Sequence, residues 1–92
     1  MKYRYHIPEQ FVGPVSQMEE FANGATQVTI IAKDGQKHPA VLISGGRYIV
    51  AMRGVVDLPF SPDAIADIIQ TDEDKNPRQR GGWQYWDQWA KP

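Results

Sequence analysis

The chain has 92 residues, no cysteine, and 10 basic against 11 acidic side chains for a net charge of −1. That length builds one small domain, the missing cysteines exclude a disulfide framework and a thiolate metal site, and a charge so close to balance exerts no global pull on nucleic acid. With no apolar run long enough to cross a bilayer and no signal-peptide pattern, the expected protein is soluble and cytoplasmic.

Charge is unevenly distributed. Residues 1–53 carry six basic and four acidic side chains, residues 54–74 six acidic and no basic ones, and residues 75–92 four basic and one acidic. A run of like charge is most often a solvated face, and it also suits a basic partner.

Along the chain, Lys2, Arg4 and His6 alternate with Tyr3, Tyr5 and Ile7, the pattern of a half-buried strand that Pro8 ends. Ser16-Gln17-Met18-Glu19 matches a capping box, which predicts a short helix over Gln17–Ala22 stopped by Asn23-Gly24. Thr26–Phe60 reads as a meander and is the organising stretch. In its first strand Val28, Ile30 and Ala32 share the core face, opposite Gln27, Thr29, Ile31 and Lys33. Asp34-Gly35 predicts a type I′ hairpin turn, which needs positive φ at both central residues. Pro39 cannot donate to a ladder, so the return strand Lys37–Ile43 is either an edge or bulged near Pro39-Ala40. Ser44-Gly45-Gly46 is the second turn. In the third strand Tyr48, Val50 and Met52 oppose Arg47, Ile49, Ala51 and Arg53. Gly54 then separates a short fourth strand, Val55–Phe60.

Residues 61–69 have two readings. Ser61 as N-cap, Pro62 at the first helical position and Asp63 in the first turn favour a helix with an Ile65, Ile68, Ile69 stripe. The other reading is one 3₁₀ turn at 61–65 followed by a strand at 66–71, which periodicity over so few residues does not separate from the first. Residues 71–82 contain no large apolar residue and read as a polar linker or an ordered, solvated excursion. All three tryptophans fall in the closing segment 83–92, together with Tyr85.

Short helix, strand, Asp-Gly turn, bent strand, strand and Ile-rich closing element, in that order, resemble the small SH3-like barrels of the Sm-like group, of which Hfq and Rof are bacterial examples. The resemblance covers about residues 16–70, chiefly Gln17–Ala22, Val28–Gly35, Val41–Met52 and Asp63–Ile69. It implies a barrel. The chain departs from the Sm pattern at two places: Pro39-Ala40 stands where a glycine usually bends the second strand, and Ser61-Pro62-Asp63 stands where Hfq carries a Lys-His pair. No RNA-contacting residue carries over.

The expected fold is therefore mainly β, a small SH3-like or Sm-like barrel of about five strands with one or two short helices; the alternative is an α+β meander sheet with helices on one face. The expected organisation is a barrel domain at 1–70, a polar linker at 71–82 and a Trp-rich segment at 83–92.

For function, no catalytic constellation is present: there is no G-x-S-x-G and no P-loop, and His6 and His38 lack a partner at ligand spacing. Asp63 and Asp67 would sit four apart on a helix, but read better as helix-start charge and solvent-facing charge than as an acid/base pair. The expectation is a protein that is not an enzyme and has no cofactor and no metal. Trp83, Tyr85, Trp86 and Trp89 are the candidate anchors of a protein-interaction or regulatory module, self-association included, since tryptophan and tyrosine are favoured hot-spot residues. An equally good reading of the same tail is that it folds back to complete the chain's own core or that of a neighbouring copy. The second functional expectation is single-stranded nucleic-acid binding through Tyr3, Arg4, Tyr5, Arg47 and Arg53, with stacking on the aromatic rings.

Overall fold

The computed structural model describes residues 4–79, 81, 83 and 86. In chain order its elements are α1 (Glu9–Ser16), β1 (Ala25–Ala32), β2 (Lys37–Ser44), β3 (Tyr48–Met52), a 3₁₀ turn (Pro62–Ala64), β4 (Ile65–Ile69) and α2 (Asp72–Lys75). The strands form one antiparallel sheet in the order β3-β2-β1-β4. The fold is mainly β, as the alternation predicted. Among the described residues no ladder joins the two ends of the sheet, which is open. The outer edge of β3 is lined by the N-terminal segment instead: the Ile7 amide donates to the Arg47 carbonyl at 2.9 Å and the Ile49 amide to the Tyr5 carbonyl at 3.1 Å.

The core face of β1 is the one expected. Val28 and Ile30 are fully buried and Ala32 nearly so, packed with Ile7, Val15, Val41, Ile43, Ile49, Ile65 and Ile68. The opposite face is not solvated. Gln27 and Thr29 are buried too, because α2 lies over them.

Bulges set the phase of three strands, and they explain most departures from simple alternation. Val28 pairs with Val41 but Ile30 pairs with His38, so β2 carries an extra residue at Pro39-Ala40. β2 lies inside the sheet, so a bulge accommodates Pro39, as one of the two expectations had it, and not an edge. Ala40 takes φ 56 there. In β3, Leu42 faces Ala51 while Ile43 faces Ile49. The extra residue, Val50, breaks the predicted alternation: Ile49 and Met52 enter the main core, while Val50 and Ala51 join Leu42 in a second cluster.

The turns exchange the roles the sequence suggested. At Asp34-Gly35 only Gly35 has positive φ, at 88°. The Gly35 amide donates to the Ala32 carbonyl and the Ala32 amide to the Gln36 carbonyl, a three-residue hairpin loop closed by a glycine bulge and not the expected type I′ turn. Positive φ at both central residues occurs at Gly45-Gly46, with 63° and 72°.

Three further expectations are corrected. The first helix is Glu9–Ser16, not Gln17–Ala22. Ser16 closes it, its hydroxyl donating to the Gly13 carbonyl at 2.6 Å, so the capping-box pattern starts no helix. Pro14 lies inside α1 and removes the amide that would bond the Gln10 carbonyl, and the helix ends two residues later. Val55–Phe60 is not a strand. It makes one bridge, Met52 to Val55, and crosses the sheet irregularly with Val56 exposed. At 61–69 the helix reading fails. Ser61 does accept from the Asp63 amide, but the cap starts a single 3₁₀ turn, and β4 begins at once. Pairing with β1 settles the ambiguity: Ile30 meets Ile68 and Ala32 meets Ile65, and the isoleucines fill the core from a strand.

Candidate functional site

The polar stretch after β4 is anchored by charge. Thr71 and Asp74 form a reciprocal capping box that starts α2. Asp74 is 2% exposed, although it lies in a segment with no large apolar residue. Its carboxylate accepts from Gln27 Nε2 at 2.9 Å, from Thr29 Oγ1 at 2.9 Å and from the Thr71 amide at 3.0 Å. Gln27 and Thr29 share the second face of β1, so one aspartate fastens the residues expected to form a linker onto the sheet. A Thr-x-x-Asp pattern at 71–74 was the available signal. The burial of its aspartate was not legible, because its two side-chain donors lie more than 40 positions upstream.

Beyond α2 the chain crosses the second face. Arg53 Nη1 donates to the Gly81 carbonyl at 2.6 Å and Nη2 to the Gln79 carbonyl at 3.2 Å. The same guanidinium stacks over the Trp83 ring, 4.0 Å from its centroid. Trp83 is half-buried against Leu42, Val50 and Ala51. Trp86 lies on the other face. It is 9% exposed, packs edge-on against Tyr5 at 5.7 Å, and belongs to the main core. Its amide donates to the Val50 carbonyl at 3.1 Å and its indole N–H to the Val55 carbonyl at 3.4 Å. The two tryptophans thus straddle the outer edge of β3 as a clasp, one on each face of the sheet.

The four expected anchors are therefore differently placed. Trp86 is enclosed in the chain's own core and is not presented to a partner, because its indole fills space that the short strands leave open. Trp83 is partly accessible. Tyr85 and Trp89 lie outside the described residues.

A groove of about 380 Å³ opens beside the clasp, lined by Gln27, Ala40, Arg53, Glu73, Arg78 and Gln79. Gln27 Nε2 serves Asp74, while Gln27 Oε1 and Trp83 Nε1 are buried with no hydrogen-bond partner among the described residues.

The basic and aromatic residues considered for nucleic acid are already engaged. Arg4 is 3.4 Å from Asp57, and the Tyr5 hydroxyl donates to the same carboxylate at 2.9 Å. Arg47 is 3.7 Å from Glu9, and Arg53 holds the crossing segment. The Leu58 amide, followed by the Tyr5 hydroxyl and Arg4, holds the Asp57 carboxyl below its ordinary range. Tyr3 lies outside the described residues. His38 stacks on Phe60, with centroids 4.5 Å apart. Asp63 and Asp67 are not a helical pair, since a strand begins between them. Among the described residues no group of three or more potential ligands is placed to hold a metal ion, and no helix is long and apolar enough to cross a membrane.

No family model matches the chain, and no significant match is found among curated proteins or solved structures.

Proposed function

We propose that this chain is a non-enzymatic protein-interaction or regulatory module, a small cytoplasmic, mainly β domain whose tryptophan segment is its anchor. The clasp supports the reading. Trp83 and Trp86 hold one strand edge from both sides, yet one of them is half-exposed and stacked under an arginine. Arginine and tryptophan are the residue types that concentrate binding energy at interfaces. Trp83 is the contact residue, and Trp86 holds the segment in place by belonging to the core.

The test is capture of protein partners, a second copy of the chain included, by the full chain and by Trp83→Ala, with circular dichroism and thermal unfolding on both. Association that disappears in Trp83→Ala while the fold is retained supports the proposal. Association that is the same in both proteins removes Trp83 as anchor. Trp86→Ala is unsuitable here, because its loss opens the core.

A further inference from the structure

The chain has two asparagines, Asn23 and Asn76. Asparagine is a thermolabile residue type, because the main-chain nitrogen of the next residue can attack its side-chain carbonyl carbon and expel ammonia. Pro77 follows Asn76 and has no N–H to give up, so that route is closed there. Gly24 follows Asn23 and carries no side chain to shield its nitrogen. We infer that Asn23 is a self-modification site, converted to aspartate and isoaspartate by attack of the Gly24 nitrogen, with the Glu20 carboxylate as the base. The chemistry is independent of the interaction role.

Asn23 and Gly24 form a tight turn between Ala22 and Ala25, closed by the Ala25 amide donating to the Ala22 carbonyl at 2.9 Å. Asn23 is exposed, and its side chain makes no hydrogen bond among the described residues. The Gly24 amide, whose proton must leave, donates to Glu20 Oε1 at 3.4 Å. Asp34-Gly35 provides the comparison, since the same cyclisation would run there on a carboxyl group. Asp34 Oδ1 accepts from the Gln36 amide at 3.0 Å, and the Gly35 amide donates to the Ala32 carbonyl at 2.9 Å. The electrophile is tied down there, and the proton of the nucleophile faces a carbonyl that is no base. Local sequence marks the two pairs alike, and the structure separates them. At Asn23 the Gly24 nitrogen passes its proton to Glu20 and bonds to Cγ. The Cγ–Nδ2 bond breaks, and Nδ2 leaves as ammonia with the proton that Glu20 returns. Water then opens the cyclic imide: addition at Cγ gives aspartate, and addition at the main-chain carbonyl gives isoaspartate. No oxidation or reduction is involved. Isoaspartate places one extra carbon in the main chain of this turn. The Gly24 carbonyl accepts from the Gly45 amide at 2.9 Å, so the modification also reaches the turn between β2 and β3.

The measurement is intact mass and peptide mapping of the full chain over time, at neutral pH and physiological temperature. It compares the wild type with Glu20→Gln, each folded and each in concentrated urea. Glutamine keeps an acceptor oxygen for the Gly24 amide but does not take its proton, and circular dichroism verifies that the variant is folded. In the folded wild type, Asn23 should gain the mass of a hydroxyl in place of an amino group. Aspartate and isoaspartate should both form there, ahead of any isoaspartate at residue 34. Folded Glu20→Gln should convert roughly three- to tenfold more slowly, less than a buried general base supplies because Glu20 is exposed. In urea the two proteins should convert at the same rate. A folded wild type that keeps Asn23 while the unfolded chain loses it would show that the turn protects the residue, and would overturn the assignment. Equal rates for the two folded proteins would overturn it by removing Glu20 as the base, and so would isoaspartate appearing first at residue 34.

Discussion

Asp74 is the residue whose removal most directly tests how the polar segment is held to the sheet. In Asp74→Ala three donors lose their acceptor at once: Gln27 Nε2, Thr29 Oγ1 and the Thr71 amide. Hydrogen bonds to a charged group are worth about 1.5–3 kcal/mol each. They do not add, because the substitution also abolishes the cost of burying the carboxylate. Gln27, Thr29 and the Thr71 amide are neutral, so no charge is left unpaired, and the net loss should be about 3–5 kcal/mol, the worth of roughly two of these bonds. A chain of this length has a total stability of roughly 5–14 kcal/mol, so the variant should sit near the edge of folding. Urea denaturation monitored by circular dichroism should show the midpoint falling by about 2–3 M at a slope of roughly 1–2 kcal/mol/M. Asp74→Asn separates charge from geometry. One amide oxygen can still serve Thr29 and Thr71, while the new N–H₂ faces Gln27. Gln27 can turn its amide and offer Oε1, which has no partner among the described residues of the wild-type chain. The asparagine variant should therefore lose only about 1 kcal/mol. If Asp74→Ala unfolds within about 1 kcal/mol of the wild type, the carboxylate does not fasten the polar segment. Equal losses for the alanine and asparagine variants would refute the part assigned to Gln27.

Three further outcomes are expected. Ala40→Gly should be neutral to slightly stabilising in thermal unfolding, since relief of about 1–2 kcal/mol of left-handed strain at φ 56 is offset by roughly 0.4–1 kcal/mol of added unfolded-chain entropy; a clear loss would mean that the alanine side chain contributes packing. Trp86→Ala should cost about 3–5 kcal/mol and Trp83→Ala about 1–2 kcal/mol, and chemical denaturation giving the reverse order would contradict the assignment of Trp86 to the core. The carboxyl of Asp57 titrates below its ordinary range in the folded chain, so the stability it contributes is complete above the unfolded value of about 4 and is lost as pH falls through the lower folded value. Asp57→Asn should flatten the pH dependence of the melting temperature below about pH 4, and an unchanged acid limb would assign that sensitivity to other carboxylates.

The sequence by itself determined the local chemistry. Alternation placed Val28, Ile30 and Ala32 on the core face, Asp34-Gly35 and Gly45-Gly46 marked the turns, and Pro39 announced an edge or a bulge, because side-chain period, positive φ and a missing amide are properties of a residue and its immediate neighbours. Where two local solutions were close in free energy, only tertiary contacts chose between them. Ser61-Pro62-Asp63 opens a helix or a single 3₁₀ turn equally well, and pairing with β1 made the isoleucines after it a strand. Ser16-Gln17-Met18-Glu19 is a capping box in sequence, yet the core took its helix from Glu9–Ser16, where Val15 becomes fully buried. The β3 bulge likewise reassigned Val50 and Ala51 to the second face. The polar stretch after residue 70 shows the limit most plainly. Nothing local says that Asp74 is buried, since its stability there depends on Gln27 and Thr29, which reach it only when β1 and α2 are already side by side. The same holds for Trp83 and Trp86: their size marked them as groups that must pack somewhere, and the sheet, by offering an apolar floor on each of its faces, decided where.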